Sequence, residues 1–98
     1  MKDNLNGIGI LGRRHYDYLR KSKPTIINVM RMNGTLNDYL KSVNTEAEEM
    51  LFQLVKQLAM QEGVTEQLKA TNQLEWVRLM NNIRNRAMEI VNSEVLFV

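Results

Sequence analysis

NQLEWVRLMNNIRNRAMEIVNSEVLFV, residues Asn72–Val98, contains neither proline nor glycine. Trp76, Val77, Met80, Ile83, Ala87, Ile90, Val91 and Val95 recur at steps of three and four, the period of one buried helix face. Asn72 followed three residues later by Glu75 is an N-terminal capping signature, because each side chain can satisfy a donor that the first turn leaves unpaired. The pattern predicts a helix from Asn72 to about Leu96, roughly 37 Å long at ~1.5 Å per residue. A compact domain of this size has a radius of gyration of only about 13 Å. A helix of that length either crosses the whole protein or projects from it.

A second long stripe precedes it. Ala47, Met50, Leu51, Leu54, Val55, Leu58 and Ala59 predict a helix over 45–62. Thr45 and Glu48 have capping-box spacing at its start, Glu46, Glu48 and Glu49 suit the positive end of the dipole, and Gly63 follows its end. Thr65 can cap a short helical piece, 66–70, that joins the two long helices. Their apolar stripes predict an antiparallel hairpin.

The N-terminal half reads as shorter pieces. Residues 1–10 predict a flexible arm, ahead of a single helical domain over 11–98. A first helix is expected from about Leu11 to Lys21, with Leu11, His15, Tyr18 and Leu19 inward. Pro24 breaks the chain and suits the first turn of a second helix over 24–32. A short buried strand competes there, because Ile26, Ile27 and Val29 are poor helix formers. Asn33-Gly34 ends that element, and Leu36, Tyr39, Leu40 and Val43 predict a third short helix over 35–43. The expected fold is all-α, a bundle of four to five helices built on the long antiparallel hairpin.

Composition excludes several classes. The chain has 98 residues, no cysteine, one histidine and 44% apolar residues. No run approaches the ~18 apolar residues of a membrane span, and the N-terminus does not read as a signal peptide. The absence of cysteine leaves no disulfide or thiolate site and points to the cytoplasm. With one histidine, no serine in a nucleophile setting and no phosphate-loop glycine motif, the sequence predicts no catalytic residue, metal site, cofactor or small-molecule substrate. His15 is expected to sit half-buried beside Tyr18 or to donate to a backbone carbonyl.

Charge is distributed unevenly. Residues 1–43 carry eight Lys/Arg against three Asp, and residues 44–98 carry five Lys/Arg against eight Glu. Arg13, Arg14, Arg20, Lys21 and Lys23 form the densest basic run and are the first candidates for nucleic-acid phosphates. An ordinary solvated helix face is the alternative. Arg78, Asn82, Asn85 and Arg86 on the last helix are a second set, since Arg and Asn can read base edges. Pairing of those arginines with Glu75, Glu89 and neighbours is the simpler account. The apolar tail Val95, Leu96, Phe97, Val98 either folds onto its own core or joins a second copy as a homodimer interface.

Segments GRRHYDYLRKSKP (12–24), NGTLNDYL (33–40) and EGVTEQLKATNQLEWVRLMNNIRNRAMEIVNSEVLFV (62–98) resemble the TnpV family of small transposon-encoded proteins. The likeness is carried by Gly12-Arg13, His15, Tyr18-Leu19, Pro24, Tyr39-Leu40, Glu62 to Glu66, Trp76-Val77, Met80-Asn81 and Glu89 to Val91. Many relatives carry a longer, aromatic-rich leader than this sequence shows. The resemblance implies a protein of mobile elements of Gram-positive bacteria, encoded beside recombinases, with an accessory role in excision, transfer or their regulation; taken with the basic run Arg13–Lys23, DNA or a recombinase–DNA complex is the expected partner. The resemblance brings no catalytic residues.

Overall fold

A computed structural model describes residues 5–98. Five α-helices follow in order: α1 (Ile10–Ser22), α2 (Pro24–Asn33), α3 (Leu36–Gln61), α4 (Glu66–Thr71) and α5 (Gln73–Val91), which runs into a π-helical turn at Asn92–Leu96. The fold is all-α, and α3 and α5 form the antiparallel hairpin. Pro24 occupies the first turn of α2, which is a helix and not a strand. Gly34 closes α2 with φ 71°, a left-handed conformation that costs glycine little. Thr65 accepts from the Leu68 amide at 3.2 Å, and Asn72 from the Glu75 amide at 3.3 Å, so both expected caps form.

Two expectations need correction. The expected third helix and the helix over 45–62 are one continuous α3 of 26 residues, about 39 Å long at ~1.5 Å per residue. No proline or glycine lies between Thr35 and Gln61, and the cap expected at Thr45 does not form, because the chain is already helical there; the neighbouring Asn44 is bonded outside its own helix end. Its Oδ1 accepts from the Gly12 amide at 2.9 Å, and its Nδ2 donates to Glu48 Oε1 at 3.1 Å. Gly12 is the third residue of α1, so this amide has no partner inside its own helix. Asn44 therefore caps α1 from the middle of α3.

That bond requires the two backbones to approach closely. A Cβ on Gly12 would lie 2.7 Å from the Leu40 carbonyl oxygen and 2.5 Å from an Ile8 methyl. Gly9 enters α1 with φ 96°, and a Cβ there would lie 2.6 Å from the Asn44 amide. Two glycines and one asparagine thus set the α1–α3 crossing.

The second correction concerns the core. It does not run along the hairpin but lies at the end where α1 crosses α3. One cluster joins Ile8, Tyr16, Leu19, Ile27, Leu36 and Leu40, and a second joins Leu11, Val43, Ala47, Val91, Val95 and Leu96. Residues 1–4 of the expected arm lie outside the described residues. Of the remainder, Ile8 is buried in the first cluster. Between Ala47 and Ile83 only Val64 is fully buried. Two helices alone cannot enclose side chains, so the far half of the hairpin stands out as a handle. The radius of gyration is accordingly 16.9 Å and the extents are 55 × 22 × 17 Å.

Asn44→Ala should destabilise the protein by about 1–2 kcal/mol, because the buried Gly12 amide loses its acceptor. Gly12→Ala should cost about 1–3 kcal/mol through overpacking. Thr45→Ala, which removes only an exposed side chain, should stay within ~0.5 kcal/mol. Urea unfolding of the three variants checks this; a larger loss for Thr45→Ala than for Asn44→Ala would contradict the capping assignment.

Candidate nucleic-acid interface

The buried side of α1 consists of Leu11, Gly12, His15, Tyr16 and Leu19, which directs the remaining positions outward. Arg13, Arg14, Arg20 and Lys21 stand three or four residues from Asp17, so four cations surround one carboxylate on the outer face. Lys23 continues the display at the helix end. Arg20 lies over the Tyr16 ring, 5.8 Å from its centroid. Arg13 reaches the Leu5 carbonyl only at 3.5 Å, a long and weak contact. Among the described residues, no ion pair within 4.0 Å engages any of the five. The structure therefore brings the first candidate set together on the outer side of α1 and its end, with Arg14 half-buried and the other four exposed.

The second set is arranged differently. Arg78 Nε donates to Glu75 Oε2 at 3.0 Å, and its Nη2 bonds Glu75 Oε1. This hydrogen bond holds the Glu75 carboxyl below its usual range and raises the Arg78 guanidinium. Arg86 Nη2 donates to both carboxylate oxygens of Glu62 at 2.7 Å, tying α5 to the end of α3. Asn82 and Asn85 are exposed. The two arginines are thus occupied by the pairing that is the simpler account of this face, although the Arg86 partner is Glu62, on another helix.

Beneath the basic face lies a polar chain. His15 is 1% exposed. Its Nδ1 lies 2.7 Å from the Leu96 carbonyl oxygen, so Nδ1–H donates, and its Nε2 lies 2.8 Å from the Tyr39 hydroxyl. With the imidazole neutral, Nε2 accepts from that hydroxyl. The expected donation to a carbonyl is present, and its acceptor lies 81 residues away. Burial raises the Tyr39 phenol above its ordinary 10.0, and the Glu46 carboxylate adds to the effect. The sequence does not single out Tyr16 as core, and it marks Tyr39 only by its helical spacing, not as the partner of His15. A tyrosine with helical spacing reads as core, and its hydroxyl partner is set only by the fold.

The tail divides. Val95 and Leu96 are buried against their own chain, which removes these two from an intermolecular surface, whereas Phe97 and Val98 are exposed. The turn carrying them is π-helical: the Phe97 amide donates to the Asn92 carbonyl at 2.7 Å. The final α-helix therefore ends at Val91 and not near Leu96. The wider turn accompanies the meeting of the Leu96 carbonyl with His15.

Together these features define a small all-α protein that displays a cationic helix face fixed from behind by buried polar bonds. Among the described residues, no helix is long and apolar enough to cross a membrane, and no group of three or more His, Asp or Glu is placed to hold a metal. A family model, transposon-encoded protein TnpV, matches residues 1–96, and the chain belongs to that family. No curated protein and no solved structure matches it.

Because the Tyr39 phenol is raised in the folded state, the folded protein holds that proton to higher pH than the unfolded chain does. The linked stability is present below pH 10.0 and is lost as pH rises through the folded value. Thermal unfolding of wild type should therefore decline more steeply above pH 10 than that of Tyr39→Phe. At neutral pH the variant should lose about 1–2 kcal/mol through the unpartnered imidazole nitrogen. Parallel alkaline profiles would exclude this proton as the source.

Proposed function

We propose that this protein is a non-enzymatic accessory factor of its mobile element. It acts in the cytoplasm, without a cofactor, and assists or regulates excision or transfer by binding DNA or the recombinase–DNA assembly. The observation that carries this reading is the contrast between two cation sets. Arg78 and Arg86 on α5 are paired with glutamates, whereas Arg13, Arg20, Lys21 and Lys23 are exposed and Arg14 half-buried, all five unpaired with any described carboxylate, with Arg13, Arg14, Arg20 and Lys21 on one face of α1 and Lys23 just past its end. Cations held in water on a rigid helix suit phosphates, and binding to them gains from release of condensed counterions. Membership in a family of transposon-encoded proteins supports an accessory role on a mobile element.

If all five residues meet phosphates, the logarithm of the binding constant should fall against the logarithm of salt with a slope near −4.5, at about −0.9 per phosphate on duplex. Replacing the five by glutamine should abolish most of that slope. Arg78→Gln with Arg86→Gln should leave it within about one unit. Gel retardation of random and element-end duplex over a salt series measures both, and no retardation of either at low salt rejects DNA binding.

A second reading, a homodimeric interaction module with no nucleic-acid contact, is favoured by the handle. Phe52 is 65% exposed, and Met60, Leu74 and Val77 are also exposed on the half of the hairpin that has almost no core of its own. A groove of about 520 Å³ runs between α3 and α5, with Leu51, Phe52, Val55 and Met88 as its floor and Glu48 and Arg84 among its lining. An apolar face carrying one charge of each sign can match a second copy of itself. Light scattering should then give twice the 11.4 kDa chain mass, reduced to one chain by Phe52→Glu. A monomer at high concentration sinks this reading.

A further inference from the structure

Phe97 poses a separate question. Its backbone is fixed: the Leu96 carbonyl before it accepts from His15 at 2.7 Å, and its own amide donates to Asn92 at 2.7 Å. Its ring is nevertheless 44% exposed. Packing does not require this ring in the way it requires Leu96, which is fully buried. The ring stands beside Tyr18, centroids 5.6 Å apart and planes tilted by 35°, and Tyr18 in turn stacks on His15 at 6.5 Å and 18°. Arg14, Tyr18 and Lys21 have the i, i+4, i+7 spacing of one helical stripe. Cations therefore stand one turn before and one turn after the aromatic pair.

We propose that Tyr18 and Phe97, flanked by Arg14 and Lys21, form a stacking site for an unpaired base of single-stranded DNA. This deepens the DNA-binding reading and rests on it. The four residues and Asp17 line one open groove of about 410 Å³, within the ~300–1,000 Å³ of small-ligand sites. Single strands are held by aromatic faces that stack on bases between cations that follow the backbone, and duplex DNA offers no unstacked base to such a ring. The charge arrangement fits one strand path. By helical position Arg14 and Lys21 lie between Asp17 and Tyr18, so the carboxylate repels a phosphate on the outer side and leaves the aromatic side open. His15 acts as a positioning residue, holding the carbonyl before Phe97 and backing the Tyr18 ring.

The test uses the full chain with fluorescein-labelled oligothymidine, which does not pair with itself, and a mixed-sequence duplex of equal length, read by anisotropy at low salt. Phe97→Ala and Phe97→Leu should each weaken oligothymidine binding about tenfold, in line with the loss of one stacked base, and change duplex binding less than twofold. Phe97→Trp should restore single-strand binding. Leucine keeps the apolar contact and removes only the π face, so equal binding by Phe97→Leu and wild type overturns the site. Circular dichroism melting of each variant identifies any that has lost its fold. If duplex is bound and oligothymidine is not, the stacking site is wrong and the phosphate reading stands. If neither is bound, both fall. If Phe97→Ala turns a dimer into a monomer by light scattering, the ring mates with a second copy and the proposal fails.

Discussion

The Gly12 amide has no acceptor in its own helix and takes the Asn44 side-chain oxygen, from the middle of α3. Much else follows from this bond. It holds α1 against α3 at a separation that leaves no room for a Cβ on Gly12. It engages Asn44 in mid-helix, where α3 continues uninterrupted. It also fixes the register of α1. Given Gly12 on Asn44, His15 comes to Leu96 and Tyr39 three residues on, and the Arg13, Asp17, Arg20 side must face water.

The His15 bonds complete the arrangement at the other chain end. A buried imidazole is costly unless both nitrogens find partners, and here one takes a backbone carbonyl and the other a tyrosine hydroxyl. The first of these bonds draws the C-terminal turn under α1, where Leu96 fills the core. The two polar anchors, Asn44 and His15, both act on the inner face of α1. Apolar packing alone would allow α1 to slide or rotate; two directional bonds about one turn apart restrict it to one setting. A helix held so firmly fixes the backbone positions from which its outer cations project.

How much of this the sequence disclosed depends on the range of each signal. Pro24, Gly34, Thr65 and Asn72 act within three or four residues, and all four mark real helix boundaries. Thr45 and Glu48 have the spacing of a capping box and mislead, because the helix runs through them; the side chain that does cap, Asn44, has its partner, Gly12, 32 residues away. The π turn at Asn92–Leu96 is likewise set against His15, 81 residues from Leu96, and neither hydropathy nor propensity reports on that. Core placement failed for a related reason. Both hairpin stripes are apolar enough to be core, and only the crossing of α1 decides which half is enclosed. For the candidate interface, the basic run was legible as composition. The Arg78–Glu75 pairing was legible as i, i+3 spacing, whereas the Arg86–Glu62 pairing spans 24 residues and was not. Phe97 was visible only as part of an apolar tail. Its separation from Leu96 into an exposed ring beside Tyr18 needed the geometry of the last turn.

The molecule has a head and a handle, and they differ in charge as well as in packing. The head carries the α1 cations. Glu46, Glu48 and Glu49 lie on α3 next to the head, and Glu62 and Glu75 farther along the hairpin are neutralised by Arg86 and Arg78. The densest group of cations is therefore oriented to one side of the molecule, on the outer face of α1, while Lys56, Lys69 and Arg84 occur singly along the hairpin. Orientation of this kind needs no large net charge, and the chain has only +2. What it needs is a separation of signs that the fold keeps fixed. The Asn44–Gly12 bond contributes to this directly. It holds the helix that bears the cations, and the same side chain's second bond goes to Glu48, keeping one carboxylate of the acidic run directed back toward its own helix. The bond that sets the α1–α3 crossing and the bond that engages one carboxylate of the acidic run therefore share one asparagine.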